Sequence, residues 1–208
     1  RRNGGIVSVK TEPTTDLVER VAAAIRSHNI ETIVVDRAGE VRDLVLGMIP
    51  EGSEVHTGKS KTLEDVGLYG PLIEGGRYEA IRTKTSAMDR ATQGREIRKL
   101  SAAPDFELGS VAAVTEDGTL VAASATGSQL GPYAMGAGRL ILVVGSQKIV
   151  PDLDAAFRRI REVVFPWENA QVNAKLGVDT ILEKVLLIFG EWSAGRTTVV
   201  LVREPVGI

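Results

Sequence analysis

The chain has 208 residues, a formal net charge of -2, and hydrophobic and charged shares of 43% and 25%, a balance typical of a globular domain with a substantial core. The near-neutral charge provides no broad positive field for a polyanion, so the composition argues against nucleic acid as the main partner. The sequence contains no cysteine, which excludes disulfides, thiolate catalysis and cysteine-ligated zinc or iron–sulfur clusters in this chain.

The most apolar stretches, "LILVVG" and "KVLLIFG", have the length of strands and are far shorter than the roughly 20 residues of a membrane-spanning helix. We therefore expect no membrane insertion. The absence of cysteine fits a cytoplasmic location, which we predict. The first residue is Arg1 and not Met, so a targeting segment ahead of it stays open.

Helical and strand-like patterns alternate through the first half of the chain. The predicted elements there are helices at 16–26, 37–49, 61–76 and 86–103, and strands at 31–36, 53–57 and 78–84. Apolar residues recur at helical spacing in the helices, and short β-branched or alternating runs mark the strands. Thr62 and Asp65 are spaced as a capping pair in the third helix. This alternation predicts an α/β fold with a mostly parallel sheet flanked by helices.

The second half adds antiparallel strands to this pattern. Asp117-Gly118 separates two apolar runs, and Asp-Gly between strands is a strong hairpin signal, so 110–115 and 119–124 are predicted to pair antiparallel. The other predicted elements are a glycine-broken helical segment at 128–137, strands at 139–145, 183–190 and 196–204, and a helix at 152–164. "EWSAG" predicts that the last two strands form a second hairpin.

No repeat or low-complexity linker divides this run of elements. We therefore predict an N-terminal extension at residues 1–12, followed by one α/β domain at residues 13–208, a size usual for a single domain.

"GSEVHTGKS" resembles a phosphate-binding P-loop, but five residues separate Gly52 from Gly58, where the motif requires four. We reject a P-loop on this mismatch. Thr57, Lys59 and Ser60 still lie between a predicted strand and a predicted helix, where backbone N–H groups can hold an anion and a lysine can neutralise it. A capped helix beside a solvated lysine is the equally open alternative.

The two histidines, His28 and His56, have no second histidine or acid at a recognisable metal spacing. We interpret His28 as a helix-end residue and His56 as part of one strand face, and predict no metal and no cofactor. No G-x-S-x-G elbow is present, which argues against a serine hydrolase.

Residues 115–131, "TEDGTLVAASATGSQLG", are rich in hydroxyl, amide and carboxylate groups. Glu116 lies at a predicted strand end, and the returning strand leads to Ser124, Thr126, Ser128 and Gln129. Hydroxyls and amides in such a place suit the recognition of a carboxylate or phosphate. The alternative is ordinary turn chemistry at the hairpin and helix capping by the later serines.

The segment "VAAVTEDGTLVAASATGSQLGPYAMGAGRLILVVGSQKIVPDLDAAFRRI" resembles the LUD (lactate-utilisation) domain family, and within it the lactate-utilisation protein C group. "TLEDVGL" and "LLIFGEWSAGRTTVVLVREPVG" extend the resemblance over residues 13–207. The resemblance implies an α/β fold similar to that of the sugar-phosphate isomerase, CoA-transferase and formyltetrahydrofolate cyclo-ligase group.

The resemblance also implies a role in a multi-protein system that oxidises L-lactate to pyruvate, in which partner proteins carry the iron–sulfur chemistry. This chain has no cysteine for such clusters, so one hypothesis is that it is an accessory subunit of that system. In the CoA-transferase relatives a glutamate near a comparable strand end is the nucleophile, and Glu116 is the best matching position here. Likeness of fold alone does not establish that chemistry.

Two hypotheses of different class follow. In the first, a small anionic metabolite binds at the strand ends through Lys59, Glu116, Ser128, Gln129 and Lys148. Lys59, Glu116 and Lys148 each follow or end a predicted strand, so we expect these three residues to meet in one cleft.

In the second hypothesis, a non-catalytic scaffold docks iron–sulfur redox partners or a second copy of itself. Trp167 and Trp192 would then be its anchors, since tryptophan is enriched at interface hot spots; core positions for both are the alternative.

Overall fold

The computed structural model describes residues 14–208, and the predicted extension at 1–12 lies outside them. Its centre is a parallel sheet of six strands in the order β1-β10-β7-β4-β2-β3, joined by a second sheet of four strands in the order β8-β5-β6-β9. The prediction of an α/β fold with a mostly parallel sheet and antiparallel additions is confirmed.

The strands are short, and most are buried on both faces. They are β1 (Glu31–Val35), β2 (Glu54–Thr57), β3 (Glu79–Ala80), β4 (Phe106–Gly109), β5 (Ala113–Thr115), β6 (Leu120–Ser124), β7 (Arg139–Gly145), β8 (Ile149–Val150), β9 (Lys184–Ile188) and β10 (Thr197–Val202). Parallel strands covered on both faces have continuous apolar sequences. This explains the apolar runs "LILVV" in β7 and "TVVLV" in β10.

The α-helices are α1 (Thr15–Ser27), α2 (Ala38–Gly47), α3 (Lys61–Asp65), α4 (Ile81–Ser86), α5 (Arg90–Ala102), α6 (Leu153–Arg159) and α7 (Phe165–Leu176). Wider π-helical turns occupy Gly70–Glu74, Pro132–Gly136 and Ile160–Val164. The helix predicted at 61–76 is therefore broken after α3. Ser60, not Thr62, caps α3, because its hydroxyl accepts a hydrogen bond from the Leu63 N–H at 3.3 Å.

Three apolar clusters hold these layers together. One packs α2 and α3 against one face of the six-stranded sheet, and a second packs α1 and the small sheet against the other face. The third cluster lies between α6 and the outer face of the small sheet, and contains Ala112, Val121, Ala156 and Ile160. The two sheets and the α6–α7 segment thus form successive layers.

The hairpin predicted around Asp117-Gly118 is present as β5 and β6, with Ala113 opposite Val121. Gly118 adopts a positive φ of 90°, which glycine adopts at no steric cost. The Asp117 carboxylate accepts hydrogen bonds from the Thr115 hydroxyl and from the Thr119 N–H at 3.1 Å, and these bonds hold the pKa of Asp117 below its usual value.

Other predicted elements need correction. β9 and β10 do not form a hairpin, because β9 pairs with β6 in the small sheet while β10 lies between β1 and β7. The strand predicted at 78–84 is reduced to β3, and α4 begins at Ile81. β4 was not predicted, although it is buried along its whole length.

Within residues 14–208, no helix is long and apolar enough to cross a membrane.

Candidate functional site

A cavity of about 330 Å³ opens at the carboxyl edge of the six-stranded sheet, where open α/β sheets place their ligands. Loops that follow β2, β4, β6 and β7 meet there, and α7 closes one side. The polar side chains that line the cavity are Lys59, Ser60, Lys61, Thr62, Ser110, Ser124, Thr126, Ser128, Gln129, Tyr133, Lys148, Trp167, Glu168 and Thr180.

Lys148 is the buried cation of this cavity. Lys148 is only 3% exposed. Its ammonium donates hydrogen bonds to Thr62 Oγ1 at 2.9 Å, Ser110 Oγ at 2.9 Å and the Val111 carbonyl at 3.2 Å. No carboxylate forms an ion pair with it among the residues that the structure describes. Three neutral oxygens thus take the place of water around a buried charge.

The charge of Lys148 is costly in this position. Burial and, to a smaller extent, the nearby Arg159 charge lower the pKa of Lys148 to about 7, while Asp65 acts in the opposite direction. Burial also lowers the pKa of Arg159, whose Nη1 has no hydrogen-bond partner within residues 14–208. Two desolvated cations therefore lie near one another, and Lys148 is the one that lines the cavity; an anion there would be stabilised by their charge.

Tyr133 fixes the position of Ser110. The Tyr133 hydroxyl accepts a hydrogen bond from the Ser110 N–H and donates one to the Ser110 carbonyl, both at 3.2 Å. The Ser110 hydroxyl in turn donates to the Val143 carbonyl at 2.6 Å, which leaves its lone pairs for Lys148. This packing requires glycine at 109, because a Cβ there would overlap the Tyr133 hydroxyl.

The loop after β6 supplies the hydroxyl-rich rim that the sequence predicts. The Ser124 hydroxyl accepts a hydrogen bond from the Gly127 N–H at 2.9 Å and donates to Gln129 Oε1 at 3.4 Å. Thr126 Oγ1 and Ser128 Oγ are 3.3 Å apart. Within residues 14–208 the Gln129 amide nitrogen donates to no protein group, so it is available to a ligand.

Lys59 lies at the mouth of the cavity and bridges to α7. Its ammonium is 3.3 Å from Glu168 Oε1 and 5.9 Å from the centre of the Trp167 ring. Lys61 also lines the cavity, and pairs with Asp65 at 2.6 Å. Both lysines are therefore neutralised by protein carboxylates, unlike Lys148.

The C-terminal segment packs on the same edge. The Gln147 side chain donates to the Val206 carbonyl at 2.8 Å and accepts from the Val206 N–H at 3.3 Å. The Gly207 N–H donates to Asp65 Oδ2 at 3.0 Å, and a Cβ at Gly207 would overlap Thr62. These contacts hold Thr62 against Lys148 and bring Ile208 to the cavity wall.

Two of the predicted site residues lie elsewhere. Thr57 is buried below the lining and its hydroxyl has no partner within residues 14–208. Glu116 lies at the turn of the hairpin, with its side chain 45% exposed and 4.0 Å from Arg20 Nη2. Ser124, which does line the cavity, is at the other end of β6; a strand rises about 3.3 Å per residue, so the length of β6 keeps Glu116 away.

The expected meeting of three charged residues therefore occurs only for Lys59 and Lys148, both of which line the cavity. Glu116 does not join them. The two tryptophans lie in different places. Trp167 is half-buried on the cavity wall, whereas Trp192 is 99% exposed and lies outside the cavity.

Sequence reasoning missed a buried His56–Glu107 pair on the sheet. His56 Nδ1 lies 2.6 Å from Glu107 Oε2, and Glu107 Oε1 has no partner within residues 14–208. Burial raises the pKa of the Glu107 carboxyl to about 7, while His56 acts to lower it. The one signal in the sequence was an acid inside the apolar run "FELG".

No group of three or more potential metal ligands occurs in the described part of the chain.

These features define an α/β protein with a cation-containing cavity at the carboxyl edge of a parallel sheet. Residues 18–202 match the model of the LUD domain, and the chain belongs to that family. Membership supports a role related to lactate utilisation in general terms.

The solved structures agree on the fold. The crystal structure of a DUF162 family protein from Deinococcus radiodurans, at 1.70 Å resolution, is similar with a TM-score of 0.53 and 15% identity, over 91% of this chain and 99% of that one. No curated protein matches the chain.

Gly109→Ala tests the packing that positions Ser110. The added methyl group would displace the Tyr133 ring, so we expect the free energy of unfolding to fall by about 1–3 kcal/mol, as for other overpacked sites. Urea denaturation measures it. Gly131→Ala is the matched control, because a Cβ there meets nothing within 4 Å; equal stabilities of the two variants would contradict the assigned role of Tyr133.

Lys148→Met tests the buried charge through its pH dependence. Because the pKa of Lys148 is about 7 in the folded protein and near 10.4 in an unfolded chain, the unfolded state binds the extra proton between these values. The stability of the wild type relative to Lys148→Met should rise as pH increases from about 7 towards 10, by at most about 1.4 kcal/mol per pH unit. Below pH 7 the difference should be flat.

Denaturation at a series of pH values measures this slope. Lys175→Met, which removes a lysine from an exposed position, is the control for the loss of a lysine side chain. A constant difference between wild type and Lys148→Met from pH 6 to 10 would show that the Lys148 pKa is not lowered.

Proposed function

We propose that this LUD-domain protein binds a small organic-acid anion of the lactate kind in the cavity, and acts in lactate or related organic-acid utilisation. The observation that carries the proposal is the buried ammonium of Lys148, which lines the cavity without a carboxylate partner among the described residues. A bound carboxylate would supply the missing countercharge.

In the proposed complex, Lys148 and the other polar groups of the cavity wall contribute to anion binding in different ways. The three N–H donors of Lys148 are occupied by Thr62, Ser110 and Val111, so Lys148 contributes its charge. Direct hydrogen bonds to the anion come from other groups on the wall, namely the Gln129 amide and the Ser128 hydroxyl. This arrangement supports binding; it contains no assigned nucleophile.

A CoA-transferase-like reaction at Glu116 receives no such support, because this carboxylate is half-exposed beside Arg20 at the far end of the hairpin. We therefore do not propose it as the nucleophile.

Calorimetric titration with 2-hydroxy and 2-oxo acids, from lactate and pyruvate upward in size, tests the proposal. We expect tighter binding at pH 6 than at pH 8, because the ammonium form of Lys148 predominates below its pKa of about 7. Lys148→Met should weaken binding about tenfold or more, the cost of losing an interaction with a charged group.

Lys175→Met is the matched control and should bind as the wild type does. Lactamide, which has the shape of lactate without its charge, should not bind. Failure of every acid in the panel to bind at pH 6 would overturn the proposal.

A second candidate function, an accessory subunit that docks a protein partner, is favoured by Trp192. This side chain is 99% exposed and Phe189 nearby is 61% exposed. The Asn29 amide holds the loop by donating to the Glu191 and Trp192 carbonyls at 2.9 and 3.2 Å. The Arg196–Glu191 ion pair, at 2.6 Å, holds the same loop.

Trp192→Ser tests this candidate. Because the side chain is fully exposed, the free energy of unfolding should change by less than about 0.5 kcal/mol. Sedimentation with the iron–sulfur proteins of a lactate-oxidising system, and of the chain alone for self-association, should show a complex that the variant loses. Identical sedimentation of variant and wild type would remove Trp192 from any interface.

A further inference from the structure

We propose that the acid bound in this cavity carries a hydrocarbon body longer than the methyl group of lactate, and that Ala123 and Val164 set its length. The inference rests on the proposed function and names the substrate class of the same site: 2-hydroxy or 2-oxo acids with a medium-length apolar chain.

The apolar wall of the cavity belongs to the third apolar cluster. The residues common to that cluster and to the cavity lining are Ala112, Ala123, Ile160, Val164 and Leu182. They come from the outer face of the small sheet, from the π-helical turn that links α6 to α7, and from the segment before β9. The cavity therefore continues an apolar core, and an apolar ligand group would complete it.

Alanine provides the space along this wall. Ala123 alternates along β6 with Ala122, whose side chain packs into the cluster on the opposite face, so Ala123 faces the α6–α7 side. A larger residue at 123 would occupy the space that the ligand body takes in our proposal. Val164 lies on the facing π-helical turn, and its size limits the cavity from the other direction.

The apolar wall begins beside the cationic end. The Val111 carbonyl accepts a hydrogen bond from Lys148, and the next residue, Ala112, already belongs to the apolar cluster. A ligand with its carboxylate near Lys148 therefore places the atoms that follow against alanine and valine side chains. An acid head joined to a hydrocarbon body matches this change of surroundings.

The charges around the cavity argue against a second anionic group. Lys59 and Lys61 are paired with Glu168 and Asp65, and Arg159 does not line the cavity. Lys148 is therefore the cation of the lining without an acidic partner in the described residues. A diacid or a phosphate ester would bring a further negative charge to Glu168 or to the apolar wall, where its burial is unfavourable.

The volume of the cavity also supports a ligand larger than lactate. About 330 Å³ lies in the range of pockets that hold drug-sized ligands, roughly 300–1,000 Å³, whereas lactate has only six non-hydrogen atoms. Lactate alone would leave apolar side chains facing water. Each further buried CH2 group removes such surface from water.

Calorimetric titration at pH 6 with 2-hydroxy acids of three to eight carbons tests the inference. Affinity should rise about three- to fourfold for each added CH2 group, and then level off when the cavity is full. Ala123→Leu should move this plateau to shorter acids without a comparable loss for lactate. Val164→Ala should move it to longer ones.

Ala134→Leu is the matched control, since Ala134 is exposed and outside the cavity; it should leave the series unchanged. If Ala123→Leu does not fold, the enlarging variant Val164→Ala still tests the wall. Equal affinity for all chain lengths would overturn this inference and leave the proposed function standing. Absence of binding by any acid would overturn both.

Discussion

The burial of the Lys148 ammonium is the constraint around which this edge of the protein is built. An ammonium removed from water needs oxygen acceptors in fixed positions, and here they come from Thr62 after β2 and from Ser110 and Val111 after β4, while Lys148 itself follows β7. Three segments from distant parts of the sequence are thereby held together by one ammonium group. Displacing any of them leaves part of the charge without its solvation.

The supporting contacts extend this requirement outward. Tyr133 holds Ser110, glycine at 109 makes room for Tyr133, and the C-terminal segment presses on Thr62. Burial raises the pKa of Tyr133, and the charge of the Glu107 carboxyl raises it as well. The interior thus contains two costly ionisable groups, Glu107 and Lys148, with opposite charge and each with a pKa of about 7. A fold selected for stability alone would have replaced both with apolar residues.

Sequence reasoning succeeded where local chemistry decides the structure. Asp117-Gly118 determines its own turn, and the apolar run of β7 places Lys148 just past a strand end, where it indeed lines the cavity. It failed where partners are distant. "EWSAG" looks like a hairpin loop, yet its two strands belong to different sheets. β4 was hidden by Glu107, whose charge breaks an apolar run and which only a tertiary partner, His56, explains. Glu116 was selected for its place near a strand end, but the pattern does not tell which end of β6 faces the cavity.

The position of β10 has a consequence for how the molecule is made. Within residues 14–208, β1 is the first strand and pairs only with β10, the last. As the chain leaves the ribosome, β1 therefore has no neighbour from the described sheets until all the other strands of residues 14–208 have been synthesised. Such long-range pairing makes folding slow, and an apolar strand left unpaired in the meantime is open to association with other chains. α1 precedes β1 along the chain and packs against it. It is therefore already synthesised and would cover one apolar side of β1 until β10 is available.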